Sequence, residues 1–269
     1  MRRACLTIAH ICIGLMCAAT SRADDRIPLK IAAIDWCPQI CPGKTDPGYI
    51  IDIVEELFRS SPYEPEISIY PWSRAIQYVR SGRAHALLSP AKPEAPDLVY
   101  PEEEVGVQSM CFFVLKDSTW NYDGVKSLEG HLTGLASDTS IQELNAFIQE
   151  RRDLFFVQPY SDAYIQDSIN MLYANRVNSF LFTYNTTLHN MRSMGVSDEV
   201  RSAGCVSNAS VYMAFSPAPG LAAEVQEMTA YFDRKMAQFK ADGGVARIMK
   251  HYELSDWSVA EDPAEHHTD

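Results

Sequence analysis

The chain has 269 residues, of which 46% are hydrophobic, 10% aromatic and 22% charged, an ordinary globular make-up that excludes collagen-like, disordered and multi-span membrane chains. Its 23 lysines and arginines face 35 acids, for a net charge of −12. So acidic a chain excludes nucleic acid as a partner, because phosphate contacts need clustered positive charge.

The first element is an address. Arg2 and Arg3 precede an apolar run from Ala4 to Ala19, broken only by Thr7 and His10. Ser21-Arg22-Ala23 then places small residues at −3 and −1 of a cleavage site, so residues 1–23 are expected to be a cleavable secretory signal peptide. A membrane anchor needs ~20 apolar residues, and this run is shorter. Cleavage after Ala23 would leave 246 residues, and the loss of Arg2, Arg3 and Arg22 would take the charge to −15. Cys5, Cys12 and Cys17 would leave with the signal, so the mature chain keeps Cys37, Cys41, Cys111 and Cys205. Four cysteines in an oxidising compartment favour disulfides, and they admit three pairings. The local pair Cys37–Cys41, in a loop with two prolines, is the first choice, and it leaves Cys111 for Cys205. A redox or zinc site is the rival reading, for which a CxxxC pair with no histidine close in sequence is weak support.

Strand and helix patterns then alternate. Pro28 to Ile34 reads as a buried strand ending at Asp35-Trp36. Ile50, Ile51, Val54, Leu57 and Phe58 recur at helical spacing after Pro47-Gly48. Glu66 to Tyr70 is a strand, and a helix follows with Trp72, Ala75, Ile76 and Val79 on one face, stopped at Gly82. Ala84 to Leu88 is a third strand. This β-α-β-α-β order is that of a parallel α/β unit. Val105 to Lys116 reads as a long extended strand leading elsewhere, after which the plan repeats. Leu132 to Ala136 is a strand, and a helix spans about Ser140 to Arg151. Leu154 to Val157 is a strand, the next helix carries Ile165, Ile169 and Leu172, and Val177 to Phe182 is a further strand. A second extended segment, Ser210 to Ser216, precedes two helices, Gly220 to about Asp242 and Val245 to Tyr252, which are expected to pack back on the first unit. Residues 258–269 are expected to be a disordered acidic tail, because the end from Glu261 to Asp269 has too few apolar groups to order itself, and His266-His267 belong to that solvated tail.

The order of these elements resembles bacterial periplasmic solute-binding proteins, specifically family 3, the polar amino acid type. The residues that carry the likeness are Asp35-Trp36, Pro47-Gly48-Tyr49-Ile50-Ile51-Asp52-Ile53, Pro71-Trp72-Ser73-Arg74-Ala75, Gly82, Tyr100-Pro101, Ser127-Leu128-Glu129-Gly130, Gly243-Gly244 and Ile248 to Tyr252. It extends over residues 28 to 254. The resemblance implies an α/β fold of two Rossmann-like lobes joined by two crossing hinge strands, with one lobe formed by residues 24–109 and 217–257 and the other by 110–216. It implies a small polar ligand held in the cleft at strand carboxyl ends, closure by a hinge, a periplasmic location, an inner-membrane ABC permease as partner, and a monomer.

In the amino-acid binders of this family an arginine soon after the third strand clamps the ligand carboxylate, and here Glu94 occupies that place. An acid after the last strand of the second lobe holds the ammonium group, and here Thr183 stands there. Both charged anchors are absent, and an α-amino acid buried without them would leave its carboxylate poorly paired, at several kcal/mol in order of magnitude. The remaining candidates are Asp35 and Ser89 at strand ends, and Trp36, whose ring either lies over the ligand or packs under its loop. Trp72 fits the helix core stripe as well as the cleft. Arg74 and Lys92 could meet a ligand anion or be solvated surface cations. Thr139 and Ser140 open a helix, where their hydroxyls suit a ligand carboxylate or plain capping.

No GxSxG, HExxH, P-loop or spaced cysteine-histidine set occurs, so neither an enzyme nor a cofactor or metal is expected. His85, His131, His189 and His251 are scattered, and His85 within a strand reads as a core histidine. Some relatives of this fold are prephenate-type dehydratases with a carboxylate as general acid, for which Glu94 is the one candidate. A third reading makes the protein a ligand-sensing partner of a membrane receptor such as a sensor kinase or cyclase.

Overall fold

The computed structural model describes residues 26–259, except 138–140, 160 and 162. The expected signal peptide and the end of the acidic tail therefore lie outside the described residues, as do two candidate ligand residues, Thr139 and Ser140.

The first sheet forms around β1 (Ile27–Ala33), which pairs in parallel with β2 (Tyr63–Ile69) and β3 (Ala86–Leu88). The connections are α1 (Tyr49–Phe58) and α2 (Trp72–Arg80), as a parallel pair requires. In α1 the apolar positions recur every three or four residues, so Ile50, Ile53, Val54, Leu57 and Phe58 are all buried on one side. The helix begins after Gly48, whose φ of 110° suits glycine; a Cβ there would lie 2.4 Å from the Gln39 carbonyl oxygen. This close approach lets the loop after β1 fold down on the helix start, where Ile50 N–H donates to Gln39 O at 3.1 Å.

The second sheet has the order β6-β5-β7-β4-β8. Its parallel strands are β5 (Thr133–Ala136), β6 (Phe155–Gln158) and β7 (Ser179–Thr183), and antiparallel to β7 runs β4 (Gly106–Leu115). Helices α3 (Gln142–Glu150) and α4 (Tyr164–Tyr173) connect the parallel strands. The strand β8 (Val200–Val211) runs antiparallel along β4 and leads through Tyr212 into β9 (Met213–Phe215), which joins the first sheet beside β3. Two lobes joined by crossing strands are thus what the chain forms. The last helices, α6 (Ala222–Ala241) and α7 (Gly244–His251), return to the first lobe. Val225, Met228, Phe232, Met236, Val245 and Met249 enter one core with Leu29, Ile31, Ala86 and Phe215 of that sheet.

Two elements differ from expectation. The second crossing segment starts at Val200 rather than Ser210, because the small and polar run Arg201 to Ser210 has no strand alternation and is held by its ladder to β4. A helix also follows β7 directly, α5 (Tyr184–Met194), which the sequence pattern does not mark. Only Thr186, Thr187 and Met191 of α5 are buried, too few for a 3.6-residue apolar stripe. Disulfides join Cys37 to Cys41 in the β1–α1 loop and Cys111 to Cys205 across β4 and β8.

Candidate functional site

Parallel α/β sheets bind ligands at strand carboxyl ends, where loops diverge and helix amides point outward. At the end of β1, Asp35 is exposed and Trp36 half-buried. Trp36 and Ile40 form an antiparallel bridge, with N–H to O distances of 2.9 Å each way, and the Cys37–Cys41 bond closes the same tight loop. Inside it Gln39 is buried, its Oε1 is without a partner, and its Nε2 donates to Thr186 Oγ1 of α5 at 3.4 Å.

At the end of β3, Ser89 adopts the left-handed conformation (φ 69°), uncommon for a residue with a Cβ. Two backbone bonds hold it there: Ser89 N–H to Tyr212 O at 2.8 Å, and Tyr212 N–H to Pro90 O at 3.1 Å. The crossing strand thereby clasps the end of β3. The Ser89 Oγ is buried and has no hydrogen-bond partner. Beyond it lies a 3-10 turn, Lys92–Glu94. Glu94 turns its carboxylate back onto this turn and accepts from Ala91 N–H at 2.7 Å. Desolvation raises the Glu94 pKa, opposed by the Ala91 amide, although the residue as a whole is exposed. Lys92 Nζ lies 4.7 Å from the Tyr212 ring centre and 6.0 Å from that of Tyr100, over two rings set edge to face at 5.4 Å. The Tyr100 hydroxyl donates toward Ala91 O (3.3 Å) and Ala95 O (3.1 Å), and its pKa is pushed up to about 12, by burial first and then by Glu94 and Asp97.

In the second lobe, Thr183 ends β7 and begins α5 as its N-cap, yet its side chain makes no capping bond. Its Oγ1 is buried without a partner. One turn on, Thr186 meets Gln39, and α5 continues over the first lobe. Asn185 Nδ2 points to the Tyr49 hydroxyl at 3.4 Å, and Arg192 donates to Tyr252 O at 3.3 Å and Glu253 O at 2.5 Å. The Tyr252 hydroxyl in turn donates to Asp52 at 2.7 Å and accepts from Gly48 N–H at 3.0 Å. A half-polar helix thus forms a second junction between the lobes, beside the crossing strands.

The fold therefore groups Ser89 and Lys92 with Tyr100 and Tyr212 at one edge, and Thr183 with Thr186 and Gln39 at another. It does not bring Trp72 or Arg74 into either group. Trp72 is half-buried and packs against the core of Ala32, Ala75, Ile76, Val79 and Leu87, while Arg74 is exposed. Sequence reasoning missed Gln39, Tyr212 and the α5 face; a polar residue inside a cysteine-closed loop was the one available signal for Gln39. Two pockets of about 370 and 360 Å³ lie elsewhere, one between Val99 and α6, the other between β6 and α4, and none of the candidate residues lines either. Among the described residues no group of three or more His, Cys, Asp or Glu side chains could hold a metal ion, and no helix is long and apolar enough to cross a membrane.

No protein-family model and no curated protein matches the sequence. Solved structures do match it. A probable amino-acid ABC transporter extracellular-binding protein from Bacillus subtilis superposes with a TM-score of 0.67 at 16% identity, over 86% of this chain and all of the other. The unliganded, open L-cystine solute receptor of Neisseria gonorrhoeae gives 0.63 at 14% identity, covering 87% and 95%. A histidine kinase sensor domain with similarity to periplasmic binding proteins gives 0.61 at 16% identity, covering 86% and 97%. At these identities the likeness establishes the fold, that of the type II periplasmic binding proteins.

Proposed function

We propose that the protein is a periplasmic solute-binding protein of the family-3 kind, which captures a small polar metabolite between its lobes and delivers it to an ABC-type importer. One observation carries this reading: Ser89 and Thr183, at the carboxyl ends of β3 and β7 in different sheets, each bury a hydroxyl with no partner. Leaving a buried hydroxyl unpaired costs about 1–3 kcal/mol, a cost that a hydrogen-bonding ligand between the lobes would offset. The fold shared with the B. subtilis and N. gonorrhoeae binding proteins supports the same reading.

The ligand is not an α-amino acid in this reading. Glu94 stands where a carboxylate clamp would be and spends its oxygen on the Ala91 amide, and Thr183 offers no charge to an ammonium group. Hydroxylated or carboxylated metabolites fit better, with Lys92 free to leave the two tyrosine rings for an anion. A cation over an exposed aromatic face is held by only about 0.5–1 kcal/mol. The reading includes no catalysis.

A thermal-shift screen of polyols, sugars, carboxylates and amino acids against the mature protein tests it. A true ligand at ~100 times its Kd adds roughly 2.7 kcal/mol. Stabilisation by α-amino acids alone would overturn the assignment of ligand class. A second reading, a ligand sensor that presents its closed form to a membrane receptor, draws on the likeness to the histidine kinase sensor domain. Copurification of the liganded protein with a permease rather than a receptor kinase would decide between them.

A further inference from the structure

One bond joins Cys37 and Cys41, yet the two sulfurs have opposite surroundings. Cys41 is 2% exposed, whereas Cys37 is only half-buried. Cys37 Sγ lies 3.6 Å from Lys44 Nζ and 3.7 Å from His189 Nε2. His189 comes from α5 of the other lobe, 152 positions along the chain. After desolvation, Lys44 and Arg192 are what lower the His189 pKa. A thiolate is favoured beside the Lys44 ammonium, and the uncharged His189 ring can add an Nε2–H donor; stabilising the thiolate makes a disulfide easier to reduce. The Cys111–Cys205 bond shares the contrast in burial, with Cys111 buried and Cys205 exposed, but it lies within the β4–β8 ladder, and among the described residues no cationic side chain contacts either sulfur; the flanking cation is what sets Cys37 apart.

We propose that Cys37–Cys41 is an exchange-active disulfide, with Cys37 as the entry sulfur, Cys41 as the buried leaving sulfur, and a dithiol as the reductant. A dithiol thiolate attacks Cys37 Sγ and breaks the protein S–S bond. The electron pair goes to Cys41 Sγ, which takes up a proton. The second thiolate of the reductant then attacks its own sulfur in the mixed disulfide, and the electron pair returns to Cys37, which leaves as a thiolate between Lys44 and His189. The protein bond gains two electrons and the dithiol becomes a cyclic disulfide. The asymmetry of one reachable, cation-flanked sulfur and one buried sulfur suits these two steps in this order. The bond also closes the loop that carries Trp36 and Gln39, so its opening would release that loop from α5. Nothing in this inference depends on the identity of a ligand.

The test equilibrates the folded protein with graded mixtures of reduced and oxidised dithiothreitol, traps thiols by acid and alkylation, and maps each cysteine by mass. Cys37–Cys41 should open at a reduced-to-oxidised ratio at least tenfold lower than Cys111–Cys205 needs. Lys44→Gln and His189→Leu should each raise the ratio needed for Cys37–Cys41 by about three- to tenfold; tenfold corresponds to about 30 mV for two electrons. In Cys41→Ser, iodoacetamide should modify the freed Cys37 faster at neutral pH than in Cys41→Ser/Lys44→Gln. Coincident titration of the two disulfides, or an unchanged ratio in both the Lys44 and His189 variants, would overturn the proposal. Lys44 is exposed on a loop, so its substitution leaves the fold available for the measurement.

Discussion

Replacing Thr183 by valine should stabilise the free protein and weaken ligand capture, two effects of opposite sign from one atom. The residue is 5% exposed, and its Oγ1 is buried with no hydrogen-bond partner although it occupies the N-cap position of α5. A serine or threonine cap that bonds the helix amides contributes about 1 kcal/mol; here no such bond exists to lose. Valine keeps the branched shape and removes the unpaired hydroxyl, whose burial costs on the order of 1–3 kcal/mol. A gain near the low end, about 1 kcal/mol, raises Tm by roughly 2–4 °C for a chain of this size. A ligand oxygen or amide that pairs with Oγ1 would instead face a methyl group and be left unpaired. The loss of ~1.4 kcal/mol or more corresponds to at least a tenfold rise in Kd. Scanning fluorimetry of the free variant and titration calorimetry with the best metabolite from the screen read the two quantities separately. A lower Tm in Thr183→Val would show that the hydroxyl already serves the free fold. An unchanged Kd would remove Thr183 from the site.

Three further outcomes follow from the packing. His131 stacks on Trp120 at 3.8 Å with its Nε2 buried and unpartnered, and burial pulls its pKa down to about 4. The folded value lies below the unfolded value, so its contribution is complete above pH 6.5 and is lost as pH falls toward 4. At pH 5 that loss is about 1–2 kcal/mol after allowance for solvent screening. His131→Phe should therefore lose less stability than the native chain between pH 7.5 and 5 in urea unfolding; parallel losses would sink this reasoning. Arg192→Ala removes the hydrogen bonds to Tyr252 O and Glu253 O, and should cost about 1 kcal/mol while enlarging the radius of gyration in small-angle scattering. An unchanged radius would mean that α5 does not brace the lobes. Phe232→Ala, at a fully buried position on α6, should cost about 3–5 kcal/mol in the first lobe. A loss under 1 kcal/mol would contradict the docking of α6 onto that sheet.

The parts legible in the sequence are those whose signal is local. Alternating β and α patterns mark both lobes because one face of each element must be buried, and α1 and α6 carry their apolar residues at the spacing that burial requires. The polar helix α5 and the upstream half of β8 lack that signal. Their stability comes from partners far away in the chain: Gln39, Tyr49 and Tyr252 for α5, and β4 for β8. The site divides in the same way. Ser89 and Thr183 follow from strand ends, which local pattern locates, but that their hydroxyls are buried and unpaired depends on packing. The reach of Lys92 toward Tyr212, and of His189 toward Cys37 across 152 residues, is set by the docking of one lobe on the other. Periodicity reports which face of an element is buried; only tertiary structure decides which side chains meet there.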